Sequence, residues 1–163
     1  MSNALYYTFS TIAQTLAGAM ALLAAFLLYR LQTLNQSIEK DAERISIALA
    51  PYHGRAHEML RGREYSGLLA AAEGKYIPQG QARPEAESAR LSTLLRTKQN
   101  LLRRFKIALY LTASLITLSI AVLVATPYLS TFQLAVYTVF ASGLIGFVAC
   151  IVSYISVLRA AFD

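Results

Sequence analysis

The sequence predicts an all-α integral membrane protein with three transmembrane helices and a cytoplasmic antiparallel helical hairpin between the first and second spans. Three observations predict it. Residues 1–29 contain no Asp, Glu, Lys or Arg, and neither do residues 107–158. The second stretch is interrupted by Thr126-Pro127-Tyr128-Leu129-Ser130-Thr131. Fourteen of the fifteen Lys and Arg lie between Arg30 and Lys106, and the other is Arg159.

A spanning helix needs about 20 mostly apolar residues to cross about 30 Å of hydrocarbon. Residues 1–29 hold one, from about Leu5 to Tyr29. A secretory signal peptide would carry its basic residues before the apolar run, whereas Arg30 follows it. The 52 residues of the second stretch are too long for one span and suit two. Proline lacks an amide hydrogen and disfavours a helical conformation before it, so helix two is expected over about 106–126. An outer turn at 127–131 follows, with Ser130 and Thr131 placed to cap helix three, over about 132–158. The tail is 159–163.

Cytoplasmic flanks are enriched in Lys and Arg. All fifteen share one side if the N-terminus is outside, 30–106 inside, the turn outside and the C-terminus inside. The net charge of +6 is then mainly an orientation signal, and nucleic-acid binding is not expected. Multi-pass insertion in a bacterial cytoplasmic (inner) membrane is the expected setting.

Residues 30–50 continue the rhythm of span one through Leu31, Leu34, Ile38, Ala42, Ile45 and Leu49. Residues 85–105 lead into span two through Leu91, Leu95, Leu102, Phe105 and Leu109, with Lys98 as a polar interruption. Apolar residues spaced by threes and fours form a packing seam. Each arm has about 21 residues and so a length of about 30 Å. Pro51 ends the first arm and Pro84 suits the first turn of the second. The tip, 51–84, is expected to hold one short helix around Glu58 to Glu73 and a loop from Gly74 to Gly80.

Little in the chain points to catalysis. His53 and His57 lie four apart, but zinc sites need at least three protein ligands, and the His-Glu-x-x-His order is absent. The sequence has no P-loop, no Gly-x-Ser-x-Gly and no dinucleotide fingerprint, so an enzyme is not expected and no cofactor is implied. Cys150 is the single cysteine, which excludes an intrachain disulfide.

The spans carry more information. Tyr7, Thr11, Gln14, Gly18, Ala21 and Ala25 form a mostly small-residue stripe on helix one. Ser114, Thr117 and Ala121 do so on helix two, and Ala135, Val139, Ser142, Gly146, Ala149, Ser153 and Ser156 on helix three. Small residues let helices approach closely in lipid. The bland reading is one compact three-helix unit. The sharper one is that the helix-one stripe faces its copies around a symmetry axis. Gln14 and its neighbours Thr11 and Thr15 weigh on this choice, because an amide in hydrocarbon is costly when unsatisfied. Helix-packing or pore-lining candidates are therefore Thr11, Gln14, Thr15, Gly18, Ser142, Gly146 and Ser153. Arg96, Lys98, Arg103, Arg104 and Lys106 are candidates for anionic lipid headgroups, which attract basic residues near the surface.

Tyr6-Tyr7-Thr8-Phe9-Ser10-Thr11-Ile12-Ala13-Gln14-Thr15-Leu16-Ala17-Gly18-Ala19 resembles the opening of small, uncharacterised bacterial membrane proteins. The topology is also similar to that of MotA/TolQ/ExbB-type proton-channel subunits, with Gly143-Leu144-Ile145-Gly146 as a further likeness. Helix two lacks that family's glycine-rich run, and only Ala160 to Asp163 follow Arg159 where the family has a longer inner helix. The functional expectation is a homo-oligomeric, non-enzymatic assembly, a small pore or a scaffold docking a protein partner through the hairpin. The alternatives are an accessory subunit of a larger membrane complex and a proton-channel-type transport or motor subunit.

Overall fold

The computed structural model describes residues 2–73, 84–129 and 133–162, and among these it is all-helical. The elements are α1 (Ser2–Leu49), α2 (Ala56–Arg61), α3 (Tyr65–Glu73), α4 (Glu85–Leu129) and α5 (Gln133–Phe162). Three of these helices, α1, α4 and α5, are long and apolar enough to cross a membrane. The chain divides into two compact units, one of Met1–Leu28 with Asn100–Asp163 and one of Tyr29–Gln99.

α1 contains no proline and only one glycine, and it continues unbroken until just before Pro51. α4 differs from expectation at its far end, running through Pro127 to Leu129 rather than ending near 126. Proline removes its own amide from the ladder and crowds the carbonyl four residues before it, and here both effects fall at the end of the helix, with two helical residues after it. Pro84 sits just before α4 rather than within its first turn, its carbonyl accepting from the Ser88 amide at 2.9 Å. The expected caps Ser130 and Thr131 and the loop from Gly74 to Gly80 lie outside the described residues.

In the first unit, three seams meet. From α1 come Leu5, Phe9, Ile12, Leu16, Met20, Leu23 and Leu27, all buried and spaced by threes and fours. α4 supplies Leu101, Ala108, Leu115 and Val122 at intervals of seven, alternating with Thr112, Ser119 and Thr126. α5 adds Val136, Gly143, Cys150 and Val157, again at intervals of seven. A seven-residue repeat keeps one seam facing its partner along a helix pair, as in coiled coils and most membrane bundles.

Each buried hydroxyl of α4 is satisfied within its own helix. Thr112, Ser119 and Thr126 donate to the carbonyls of Ala108, Leu115 and Val122 at 2.7, 2.8 and 2.8 Å. Thr112 has thereby spent its only hydrogen, so Tyr154 of α5 donates to it across the interface at 2.7 Å.

The second unit has its own core. Ile38, Ala42, Ile45 and Leu49 of α1 pack with Ala56, Leu68, Ala71, Ala72 and Leu91. Asp41 is buried beside Arg90 at 3.3 Å, and Lys98 donates to Asn35 at 2.8 Å. On α4, Leu95, Leu102 and Phe105 of the expected seam are half-buried and Leu109 is exposed, while Leu101 and Ala108 are fully buried.

Where one tip helix is expected, α2 and α3 form two. The break is a Schellman turn: Glu64 donates to Met59 at 2.9 Å and Arg63 to Leu60 at 3.1 Å. Arg63 holds the left-handed position at φ 55°, where glycine is usual, and Gly62 stands one residue too early to take it.

Candidate assembly face

Between Tyr7 and Leu22, α1 presents bulk inward and small residues outward, while Leu22 and Leu28 further along are exposed. Thr11, Gln14, Thr15, Ala17, Gly18 and Ala21 are the exposed residues between Tyr7 and Leu22, and none is large and apolar. A Cβ added at Gly18 would meet nothing within 4 Å. Among the described residues the Gln14 amide has no hydrogen-bonding partner. Ala25 continues the face further along the helix. Beside it, a cleft of about 380 Å³ runs between α1 and α5, lined by residues that include Tyr7, Thr11, Thr15 and Phe147.

α5 is arranged the other way. Leu144, Ile145, Val148, Val152 and Ile155 face outward. Its glycines face inward, against side chains. A Cβ on Gly143 would lie 2.6 Å from Cζ of Phe9, and one on Gly146 would lie 2.8 Å from Cδ1 of Leu115. A side chain at either position would force the end of the neighbour's side chain to move, so glycine suits both.

The small-residue stripes of helices one and two thus lie on the outside of the bundle: Ser114, Thr117 and Ala121 of α4 are exposed, as the α1 stripe is. On α5 the expected stripe straddles the seam. Gly146 packs inward and Ser153 is half-buried, while Ser142 is exposed and donates to the Val139 carbonyl at 2.8 Å. The seam itself runs one position later, through Val136, Gly143, Cys150 and Val157. Sequence reasoning missed Gly143 and the buried hydroxyls Thr112, Ser119 and Thr126. Their seven-residue spacing was the available signal.

The basic candidates separate by engagement. Arg104 donates to Ser156 Oγ at 2.8 Å and to Asn100 at 3.2 Å, tying α4 to α5. Lys98 is bound to Asn35. Arg96, Arg103 and Lys106 are the exposed members.

His57 is exposed and shares a hydrogen bond of 3.1 Å with the buried Ser46. No group of three His, Cys, Asp or Glu converges among the described residues. A cleft of about 220 Å³ in the second unit is lined by Glu39, Glu43, Arg61, Arg63, Leu60 and Tyr65. Its one ion pair, Arg63 with Glu39 at 3.2 Å, is solvent-exposed and of the weak surface kind. Comparison with protein-family models, with curated proteins and with solved structures finds no match for this chain. The arrangement in hand is suited to helix association.

Proposed function

We propose that this chain is a non-enzymatic membrane protein that assembles as a homo-oligomer, with the outward face of α1 buried between copies. The observation that carries this reading is Gln14, set among Thr11, Thr15, Gly18 and Ala21 on an exposed face of an apolar helix. In hydrocarbon, an amide without partners is unfavourable by several kcal/mol, and a surface of small residues gains nothing from lipid. A neighbouring helix resolves both.

In this reading the protein lies in the bacterial inner membrane with its N-terminus outside and its C-terminus inside. Residues 30–105 form a cytoplasmic antiparallel hairpin that serves as a docking scaffold. Its support is the shared core of Ile38, Ile45 and Leu91, together with the pairs Asp41–Arg90 and Asn35–Lys98, in which one partner advances as the other recedes. Arg96, Arg103 and Lys106 remain for anionic headgroups.

Light scattering of the detergent-solubilised protein tests the assembly. The expected mass is several times the 17.9 kDa of one chain, and Gly18→Leu is expected to reduce it to one chain. A wild-type mass of one chain would reject the assembly and favour an accessory subunit of a larger complex. The polar residues of the face favour a second reading, a small pore; current through wild-type protein in a planar bilayer would establish it.

A further inference from the structure

We infer that the furrow between α1 and α5 is a binding site for a membrane-soluble quinone, with the ring toward the N-terminal end of α1 and the apolar chain toward Phe26; this rests on the membrane reading above and not on the assembly. Two clefts of about 380 Å³ each make up the furrow. One is lined by residues that include Tyr7, Thr8, Thr11 and Thr15 of α1 with Leu144 and Phe147 of α5. The other lies between Ala19, Leu22, Leu23 and Phe26 of α1 and Tyr154 and Leu158 of α5. Small-molecule sites typically have volumes of roughly 300–1,000 Å³.

The two clefts follow one line on each helix. Thr8, Thr11, Thr15, Ala19, Leu22 and Phe26 advance along α1 by threes and fours. Leu144, Phe147, Tyr154 and Leu158 keep to one side of α5 at steps of three, seven and four. The helices run side by side in the same direction. Phe9 meets Gly143 near one end, and the rings of Phe26 and Phe162 lie 5.7 Å apart near the other. Gln14, Gly18 and Ala21 line neither cleft, so the face proposed for assembly lies beside the furrow.

The hydroxyls of the first cleft are available to a ligand. Thr112, Thr117, Thr126 and Thr138, the described threonines of the charge-free stretch in α4 and α5, each donate to the carbonyl four positions earlier, at 2.7, 2.9, 2.8 and 3.1 Å. Thr8, Thr11 and Thr15 make no such bond and have no other partner among the described residues. Hydroxyls left unpaired in hydrocarbon are unfavourable, and three along one cleft supply donors for acceptor oxygens. The opposite wall, Leu144 and Phe147, is apolar, and no charged group lines either cleft. An uncharged flat ring with carbonyl oxygens at its edge satisfies both walls. In the second cleft the one hydroxyl, that of Tyr154, is already bound to Thr112, which leaves a lining suited to a hydrocarbon chain.

Depth separates a quinone from a phospholipid. The apolar span begins near Leu5. A helix rises about 1.5 Å per residue, so Thr15 lies about 15 Å inside, near the middle of a hydrocarbon layer of about 30 Å. Phospholipid ester carbonyls stay at the edge of that layer, level with Tyr7 and Thr8. A quinone carries its acceptors with the ring into the hydrocarbon, as far as Thr11 and Thr15. From Thr8 to Phe26 the furrow extends for about 27 Å, longer than the half-layer that one acyl chain fills.

The test is photolabelling of the full-length protein in phosphatidylcholine nanodiscs with an azidoquinone bearing a decyl chain, read residue by residue by mass spectrometry. The expected result is saturable labelling within residues 7–15 and 144–147, displaced by decylubiquinone. Thr11→Val combined with Thr15→Val keeps the shape and removes two donors, and should weaken binding about tenfold. Thr15→Ser keeps its hydroxyl, and Thr138→Val is remote from the furrow; both should bind as wild type does. Ala19→Leu fills the second cleft and should weaken the decyl compound more than its chainless ring. Labelling that does not saturate, that falls equally on outward residues of α4 and α5, or that the double valine variant retains in full would overturn the inference. Equal displacement by a diacylglycerol would assign the cleft to lipid esters and overturn it likewise. Should the double variant fail to fold, the labelled positions of the wild type decide. Release of the protein from native membranes by carbonate washing would remove the membrane reading and this inference with it.

Discussion

α1 and α5 both cross the first unit as apolar helices, yet they are built inside out with respect to each other. α1 turns Phe9, Leu16, Met20 and Leu23 inward and Thr11, Gln14, Gly18 and Ala21 outward. α5 turns Gly143, Gly146 and Cys150 inward and Ile145, Val152 and Ile155 outward. The two fit each other on the inside, where Phe9 occupies the space that Gly143 leaves. On the outside they differ. Branched aliphatic side chains are solvated well by lipid tails, whereas an amide and a row of small residues are not. Average hydropathy reports that each helix is apolar enough to span. The radial placement of bulk distinguishes a surface fit for lipid from one fit for another helix.

The largest test of the contrast is at Gly143. Gly143→Leu must displace Phe9, and is expected to destabilise the first unit by about 3 kcal/mol, the upper part of the overpacking range. Thermal unfolding in detergent measures it. Gly143→Ala should cost less, and adding Phe9→Leu should restore part of the loss; equal stability of Gly143→Leu and wild type would mean Phe9 does not pack there.

Gly18→Leu tests the opposite face with the same chemical change. A Cβ at Gly18 meets nothing within 4 Å, so the stability of the single chain should stay within about 0.5 kcal/mol of wild type, the usual range for surface changes. In the proposed assembly the oligomer mass should nevertheless fall, because there the change acts between copies.

A smaller effect is expected at the hydroxyls. Thr112→Val leaves the Tyr154 hydroxyl without its acceptor and should destabilise by about 1 kcal/mol, in line with interhelical hydrogen bonds in membranes. Thr117→Val, on the outer face, should leave the stability of the single chain unchanged. If Thr117→Val destabilised the single chain as much as Thr112→Val, the distinction between inner and outer hydroxyls would fail.

The smallest expected change is a gain remote from both faces. Arg63→Gly relieves a left-handed residue at the end of α2 and should stabilise the second unit by up to about 1 kcal/mol. The lost ion pair with Glu39 is exposed at both ends and offsets little of it. Hydrogen exchange of the α2 and α3 amides would detect slower opening; faster opening would show that the ion pair outweighs the strain.

Much of the fold was legible from the residues alone. Two charge-free stretches located three helices that can cross a membrane. The run Leu34, Ile38, Ala42, Ile45, Leu49 also marked, residue by residue, the buried side of the end of α1. The tip was less legible. One helix is expected from about Glu58 to Glu73, while the chain in fact turns at Arg63, where the Glu64–Met59 and Arg63–Leu60 hydrogen bonds close α2.

The sequence by itself determined that this chain is helical, where its three apolar helices lie, and that each carries a stripe of small residues. The tertiary structure decided which side of each helix turns inward. On α1 a bulky stripe and a small stripe share one repeat, displaced by half a turn, and helix periodicity favours neither. Only a neighbour with complementary volume breaks the tie. Gly143 of α5 accepts Phe9, which draws the bulky stripe of α1 inward and leaves Gln14 and Gly18 on the outside.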